Sequence, residues 1–270
     1  MRWRAVRAVA RKDLIAIRRS RALMAPLVVV PLVLLVVVPL AVALAPALAG
    51  ADANPELARM IEALPAPARA RLGGGTPSEQ WLRLVQSQML PGLFLLVPFM
   101  VANVIAADAF AGERERKTLE ALLYTPVSDA ELLAAKVLAA WVPAVLAALA
   151  GFVVQSALLA LATGGLLGRA LLPDATWLLV ALWVGPAFAA LGLSGMVLVS
   201  LRVRGTQEAI QLGGLLVLPV VALIVGQVRG VMLLGPAVAL GTGLVVWGLA
   251  AALLAMGRQR FRRGRLVTRL

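Results

Sequence analysis

Six long apolar segments constrain this chain to a membrane. A helix needs roughly 18 or more apolar residues to cross a bilayer, and several of the segments exceed that length. A transmembrane β-barrel would instead alternate polar and apolar residues over ~10-residue stretches, which these segments do not. The sequence therefore predicts an all-α, polytopic membrane protein in which residues 1–270 form one transmembrane domain. The predicted spans cover residues 24–49, 89–110, 138–162, 176–200, 209–227 and 231–256.

Composition excludes several kinds of chemistry. The chain is 61% hydrophobic and contains no Cys and no His, so disulfides, thiol nucleophiles, His general bases and Cys/His zinc sites are ruled out. Its formal net charge of +13 would suggest nucleic acid in a soluble protein. Because this charge flanks membrane spans and no recognition motif is present, topology and anionic membrane lipid explain it better. We expect no nucleic-acid partner.

The first 23 residues predict an amphipathic helix that lies in the membrane interface. Residues 2–21 carry eight Arg or Lys and one Asp. Apolar residues recur there at three- and four-residue spacing, which gives a helix one apolar stripe. These residues are Trp3, Val6, Ala10, Leu14 and Ile17. A plain positively charged flank without a docked helix is the alternative.

The distribution of charge predicts which loops are cytoplasmic. Six spans place both termini on one side, and the termini together with the loops at 111–136 and 201–208 hold 20 of the 26 Arg and Lys residues. Basic segments stay in the cytoplasm. Both termini, including the basic tail at 257–270, are therefore predicted to be cytoplasmic, in a protein of the inner (cell) membrane.

Residues 50–88 are then predicted to form a small external cap of two short helices. Pro55 suits the first position of one helix. Thr76 and Glu79 have the spacing of a capping box, which starts the other helix. The glycine-rich stretch PAPARARLGGG between them predicts a break.

The cytoplasmic loop at 113–136 holds nine of the chain's 39 charged residues. Its first part, 113–124, predicts a helix, because Glu113–Lys117 and Arg116–Glu120 are opposite charges at i, i+4. Leu119, Leu122 and Leu123 fall on one face of that helix.

A break and a new helix start follow in the same loop. Thr125-Pro126 ends the first helix, because a residue before Pro disfavours helical geometry. Ser128 and Glu131 have capping-box spacing and start the helix that leads into span three. The loop predicts a docking surface for a partner; a solvated connection that packs on its own bundle is the alternative.

The loop sequence ERERKTLEALLYTPVSDAELLAAK closely resembles the cytoplasmic loop of permease subunits in the type-2 ABC exporter family. The resemblance lies in a Glu-Arg-rich start, a Thr-Leu-Glu-Leu-Leu-like helix, Thr-Pro-Val-Ser, and Glu-Leu-Leu with a Lys before a span. RKDLIAIRRSRA near the start and RFRRGRL near the end resemble the two termini of that family. The likeness covers the whole layout of six spans.

The resemblance implies a coupling helix that inserts into a groove on a separate ATP-binding subunit. Two permease chains, as a homodimer or as paired homologous permeases, would work with two ATPase chains. ATP and Mg²⁺ would be bound by the partner, because this chain has no G-x-x-x-x-G-K-[ST] phosphate loop; we expect it to bind no cofactor itself. Lys117 to Pro126 would form the docking helix. The residues assigned to ATPase coupling are Glu113, Arg114, Arg116, Lys117, Thr118, Leu119, Glu120, Leu122, Leu123, Tyr124, Thr125, Pro126 and Ser128.

The same resemblance places the translocation pathway between two permeases, along spans two and five. Both spans contain residues that predict an interrupted helix, which is typical of transport routes but also frequent in membrane spans generally. No acid, Lys or Arg is expected at mid-membrane, which argues against a proton-coupled transporter and favours a hydrophobic or amphipathic cargo. The predicted pathway residues are Pro98, Asn103, Gln211, Gly213, Gly214 and Pro219.

Two other classes of function stay open at this point. A secondary transporter or a non-transporting membrane scaffold would have no ATPase partner. An intramembrane enzyme would need paired catalytic groups within the bilayer, whereas Asp108 stands alone at a membrane border.

Replacing Leu119 and Leu122 by Asp is expected to abolish association with the ATPase, because the substitutions put charge on the apolar contact face. Membrane insertion is expected to be unchanged. Co-purification with the ATPase measures the effect, and survival of the complex would contradict the docking assignment.

Overall fold

The computed structural model describes residues 3–48, 55–116, 128–167, 170–203, 205–228 and 235–260. Throughout these residues the ordered structure is helical, and they contain no strand. Six segments are long and apolar enough to cross a membrane: Leu23–Ala45, Pro77–Gly112, Asp129–Gly164, Ala175–Ser200, Thr206–Gly226 and Pro236–Gln259. The predicted all-α fold with six spans is confirmed.

Ten helices make up the described part of the chain. Three of them contain five-residue π-helical segments, which widen the helix locally without ending it. In chain order the helices are α1 (Trp3–Arg19), α2 (Arg21–Leu32, Val33–Val37 and Val38–Leu48), α3 (Pro55–Glu62), α4 (Ala66–Leu72), α5 (Pro77–Leu84, Val85–Met89, Leu90–Ala107, Asp108–Gly112 and Glu113–Glu115), α6 (Asp129–Leu167), α7 (Ala175–Leu179, Val180–Val184 and Gly185–Ser200), α8 (Thr206–Leu215), α9 (Leu218–Val228) and α10 (Pro236–Arg260). Spans one, two, three, four and six are α2, α5, α6, α7 and α10; span five is α8 with α9.

Helices α5 and α7 form the centre of the bundle. In their membrane windows 72% and 67% of the residues are buried, against at most 28% in the other four spans. Glycine makes their close approach possible, because a Cβ at Gly192 of α7 would lie 2.6 Å from the carbonyl oxygen of Phe99 in α5. Small residues at such crossings let two helix backbones come together in a membrane.

The predicted external cap differs from the structure in its number of helices. Residues 55–84 form three helical pieces rather than two, because the stretch expected to be a break contains α4. Leu72 at the end of α4 packs with Leu57 and Ile61 of α3 in a small core of its own. The break itself lies at the glycines that follow, where Gly73 and Gly75 have positive φ.

The two spans predicted to be interrupted behave differently. The break expected at Pro98 is wrong: α5 stays helical through this buried residue, since neighbouring helices can compensate for one lost backbone hydrogen bond. The break expected in span five is confirmed, because α8 ends at Leu215 and α9 begins at Leu218. Span five is therefore built from two short helices.

Gly192→Ala is expected to lower the thermal unfolding midpoint, because the added methyl group must push α7 away from the backbone of α5. Overpacking of this kind costs about 1–3 kcal/mol. Thermal unfolding of the purified chain in detergent measures it. Gly248→Ala in α10 is the matched control, since a Cβ there has no atom within 4 Å; equal midpoints for the two variants would contradict the packing described.

Candidate functional site

A buried cluster of charged side chains joins three helices at one end of the bundle. Glu113 near the end of α5 and Lys136 in the second turn of α6 are 5% and 0% exposed, and Asp13 of α1 is 6% exposed. The fourth member, Lys12 of α1, has a half-exposed side chain. Buried charges are stable only when they are paired and hydrogen-bonded, so the geometry of the pairs decides what this cluster does. These four residues are called the charge cluster below.

Glu113 accepts hydrogen bonds from both lysines of the charge cluster. The Nζ of Lys136 lies 2.5 Å from one carboxylate oxygen of Glu113, and the Nζ of Lys12 lies 2.7 Å from the other. Lys136 also donates to the carbonyl oxygen of Ala109, at 2.6 Å, and its Nζ lies 5.5 Å from the ring centroid of Phe110. One carboxylate therefore connects α5 to both α1 and α6.

Asp13 completes the electrostatic balance. Its carboxylate lies 3.2 Å from the Nζ of Lys12 and 3.8 Å from that of Lys136. Two acids and two bases then share the site, with no formal net charge. Val6 and Ile17 are buried on the same face of α1 as Asp13, so this face of α1 packs by apolar and ionic contacts together. The predicted helix in the first residues is present; its position in the membrane interface stays a prediction.

The charge cluster shifts the pKa values of Glu113 and Lys12. Burial alone would raise the pKa of Glu113, but the charges of Lys136 and Lys12 outweigh it and hold this pKa below its ordinary value of 4.5. Burial alone would lower the pKa of Lys12, yet its hydrogen bond to Glu113 and the charge of Asp13 raise it above 10.5. Because folding lowers the pKa of Glu113, the ionised carboxylate stabilises the folded state above about pH 4.5. This stabilisation is lost as pH falls through the pKa of the folded state.

A second group of contacts lies beside the charge cluster and reaches span five. Arg116 pairs with Asp108 at 3.0 Å. A single carboxylate oxygen of Glu115 accepts hydrogen bonds from the backbone N–H and the hydroxyl of Thr206, both at 2.9 Å. Hydrogen bonding to Thr206 lowers the pKa of Glu115. The end of α5 therefore contacts the first residue of α8.

A cavity of about 330 Å³ opens between α1 and α5 next to these groups. Its lining includes two cations and three carboxylates: Lys12, Arg116, Asp13, Asp108 and Glu113. Among the residues that the structure describes, no three His, Cys, Asp or Glu side chains are placed to hold a metal ion. The groups pair with one another, which makes this end of the bundle a junction between helices.

The structure places part of the predicted coupling loop at this junction. The described start of the loop carries Glu113 and Arg116, and its described end begins at Ser128. The capping box is confirmed, since Glu131 N–H donates to the Ser128 hydroxyl at 3.3 Å and Ser128 N–H donates to the Glu131 carboxylate at 3.0 Å. Residues 117–127 lie outside the described residues, so the docking helix and its residues Lys117, Thr118, Leu119, Glu120, Leu122, Leu123, Tyr124, Thr125 and Pro126 stay predictions, as does the role of the Arg114 side chain.

The start of the loop continues α5. Residues 113–115 are helical, as predicted, and they follow the π segment Asp108–Gly112 without a break. Glu113 is buried against Lys136 and Lys12; Lys117 lies outside the described residues, so the predicted Glu113–Lys117 pair stays a prediction.

Sequence reasoning missed several residues of the junction, namely Lys12, Asp13, Asp108, Glu115, Lys136 and Thr206. Two of them carried a signal in the sequence. Asp13 is the single acid among eight basic residues at 2–21, and Lys136 is the single charge in the stretch LLAAKVLAA. An isolated charge in an apolar or oppositely charged setting indicates a buried partner. Thr206 carried no such signal, since its contact with Glu115 spans 91 positions.

The predicted pathway residues fall into two groups. The side-chain amide of Asn103 in α5 donates to the carbonyl oxygen of Gly213 in α8, at 2.9 Å, and both residues are buried. Pro98 is buried in α5, while Gln211, Gly214 and Pro219 are exposed on the outside of the bundle. The structure thus joins spans two and five at one point and does not bring the whole predicted set together.

A protein family described as ABC-2 family transporter protein matches residues 7–260, which is nearly the whole chain. Comparison with curated proteins finds no match.

Lys136→Met is expected to destabilise the chain by about 3 kcal/mol, because it leaves buried carboxylates without their buried cation. The double substitution Lys136→Met with Glu113→Gln is expected to cost less, since it removes one charge of each sign. Thermal unfolding midpoints in detergent measure both.

Lys12→Met provides the matched control for the loss of Lys136. Lys12 contacts the same carboxylate but is half-exposed, so we expect its loss to cost about 1 kcal/mol or less. Equal midpoints for Lys12→Met and Lys136→Met would contradict the dominant role of the buried pair.

Proposed function

The chain belongs to the ABC-2 family of transporter proteins, and on this premise we propose that it is the permease of an ATP-driven exporter. As a member of that family it is a multi-pass, membrane-spanning subunit of an ABC transporter, a transport component that is not itself catalytic. The finer proposal is that residues 113–136 couple it to a separate ATPase chain and that two permeases form the pathway.

The observation that carries the coupling proposal is the pair of Glu113 with Lys136. These residues lie on opposite sides of residues 117–127, so their contact holds the two ends of that segment together. Lys12 ties α1 to the same carboxylate. A segment held at both ends transmits a push from a bound partner to the helices that hold it, whereas a loose connection would absorb it. The fixed attachment of its two flanking helices supports a docking role over a solvated loop.

The proposed energy source is ATP bound by a partner chain. ABC-2 permeases associate with an ATP-binding subunit, and this chain has no phosphate-binding loop in its sequence. We propose that ATP and Mg²⁺ bind to the partner, and that this chain supplies the coupling surface and the membrane path.

Exposed polar and helix-breaking residues support pairing of two permeases. Gln211, Gly214 and Pro219 of span five are exposed on the outside of the bundle. A Gln side chain facing hydrocarbon is costly, and a neighbouring chain that covers it removes this cost. We propose a second permease there, so that the two copies of span five face each other.

The N-terminal helix supports the proposed orientation in the membrane. Arg4, Arg7, Arg11 and Arg18 of α1 are exposed and fall within a ~60° arc at 3.6 residues per turn. One residue, Ser20, separates α1 from span one, which keeps this arginine stripe near the bilayer surface. We propose that α1 lies at the cytoplasmic interface of the cell membrane and contacts anionic lipid headgroups, with both termini in the cytoplasm.

The cargo is proposed by chemical class. The buried polar contact that joins spans two and five involves an amide and a backbone carbonyl, Asn103 and Gly213. Neither group is charged, in contrast to the ionisable residues that mark proton and ion routes. A hydrophobic or amphipathic cargo fits this setting better than a bare ion. A secondary transporter or a scaffold is the alternative.

Purification of the tagged chain from native membranes in mild detergent tests the proposal. We expect an ABC-type ATPase to be recovered in equal amount with the permease. After reconstitution in proteoliposomes, we expect ATP hydrolysis to rise with hydrophobic or amphipathic compounds from a cargo panel and not with sodium ions. Recovery of the chain without any ATPase, together with transport driven by an ion gradient, would contradict the proposal and favour a secondary transporter.

A further inference from the structure

The first residue of α8 donates hydrogen bonds to a side chain of another helix. The N-cap position is Gly205, which has extended backbone angles (φ −151°, ψ 170°) and no side chain to accept a hydrogen bond. Glu115 of α5 takes that role, because its carboxylate accepts from the backbone N–H and the hydroxyl of Thr206, both at 2.9 Å. An N-cap group normally comes from the residue that precedes the helix. In α8 the acceptor comes instead from Glu115 at the end of span two.

Glycine makes room for this contact on the α5 side. A Cβ at Gly112 would lie 3.0 Å from the Thr206 hydroxyl oxygen and 2.7 Å from a carboxylate oxygen of Asp108. Any larger residue at 112 would therefore push the start of α8 away from α5. The negative charge of Glu115 also suits its position, since a helix N-terminus carries partial positive charge.

The same helix is held a second time near its other end. Gly213, two residues before the end of α8, accepts the hydrogen bond from Asn103 of α5. The turn at 216–217 follows, and α9 continues span five beyond it. Helix α8 is thus a ten-residue segment held by α5 near both ends, with a break directly after it.

The position of Glu115 in the chain places its contact with α8 beside the predicted docking segment. Glu115 is the last helical residue of α5, two positions before the segment 117–127 that is proposed to dock the ATPase. The charge cluster around Glu113 joins α1, α5 and α6, and so it does not itself extend to span five. Glu115, which hydrogen-bonds to Thr206 of α8, lies nearer to this segment in the chain than Asn103, the α5 residue that contacts α8 near its other end.

We propose that Glu115 is a positioning residue that transmits the docking of the ATPase to span five, through its hydrogen bonds at the N-terminus of α8. This inference rests on the proposed function for the partner that binds at 117–127. Movement of the docking segment shifts Glu115, Glu115 shifts the start of α8, and the break at 216–217 lets α8 move without carrying α9 with it.

Glu115→Ala combined with a new local N-cap separates coupling from simple helix stabilisation. Gly205→Asn supplies an N-cap side chain within span five itself. The extended backbone at Gly205 accepts any residue, and a Cβ there would lie 3.4 Å from the Glu115 carboxylate, an ordinary contact. In the double variant α8 is capped but no longer linked to α5 by this carboxylate.

Hydrogen exchange of the amides at 206–208 is the readout, measured on the purified full chain with and without the bound ATPase and a non-hydrolysable ATP analogue. In the chain alone, Glu115→Ala is expected to speed exchange by roughly fivefold, as loss of an N-cap does, and Gly205→Asn to reverse it. On binding the ATPase, the unaltered chain is expected to change its exchange at these amides. The Glu115→Ala, Gly205→Asn chain is expected to lose that response.

The controls for Glu115, and the results that would contradict its role, differ from those that test the proposed function. Glu62→Ala, which removes an exposed carboxylate of the predicted external cap, is expected to respond to the ATPase as the unaltered chain does. If Glu115→Ala is poorly folded, Glu115→Gln keeps an acceptor oxygen without the charge and is expected to give a weakened response. A full response in the double variant would overturn the inference while ATPase binding, measured by co-purification, stands. Failure of the unaltered chain to bind any ATPase would overturn the proposed function and the inference with it.

Discussion

The buried ion pair between Glu113 and Lys136 is the contact on which this end of the molecule depends. A lysine that is fully buried at the border of a membrane is tolerable only when it is paired and hydrogen-bonded, and α5 supplies a carboxylate and a backbone carbonyl oxygen within about one helical turn. The two helices that flank residues 117–127 are therefore held at a fixed separation. Lys12 and Asp13 add α1 to the same arrangement, so three helices share one electrostatic centre.

The packing of the spans complements this junction. Helices α5 and α7 are buried in the middle, and Gly192 lets their backbones meet. The remaining spans expose most of their apolar surface, as is expected of helices that face lipid or another chain. Helix α5 is the shared element, because it forms the centre of the bundle, supplies Glu113 to the charge cluster and contacts α8 through Glu115 and Asn103.

Sequence patterns predicted the fold well because span length and hydrophobicity are local properties. Neighbouring residues were enough to predict the six spans, the capping box at Ser128 and the break in span five. Contacts between distant positions could not be predicted in this way, since the partners of Glu113 lie 101 and 23 positions away. Pro98 shows the opposite error, since a local rule predicted a break that tertiary packing prevents. The identity of the family followed from a local motif in the loop, and the match over residues 7–260 confirms it.

The charge cluster also has a consequence for how the chain is made. Its residues leave the ribosome in the order Lys12, Asp13, Glu113 and Lys136, because synthesis runs from the N-terminus. Until Lys136 has been made, Glu113 and Asp13 lack their buried cation, and burying them would be costly. Helix α1 can therefore dock only after the beginning of span three has been synthesised. The cluster therefore makes the docking of α1 depend on residues from the beginning of span three.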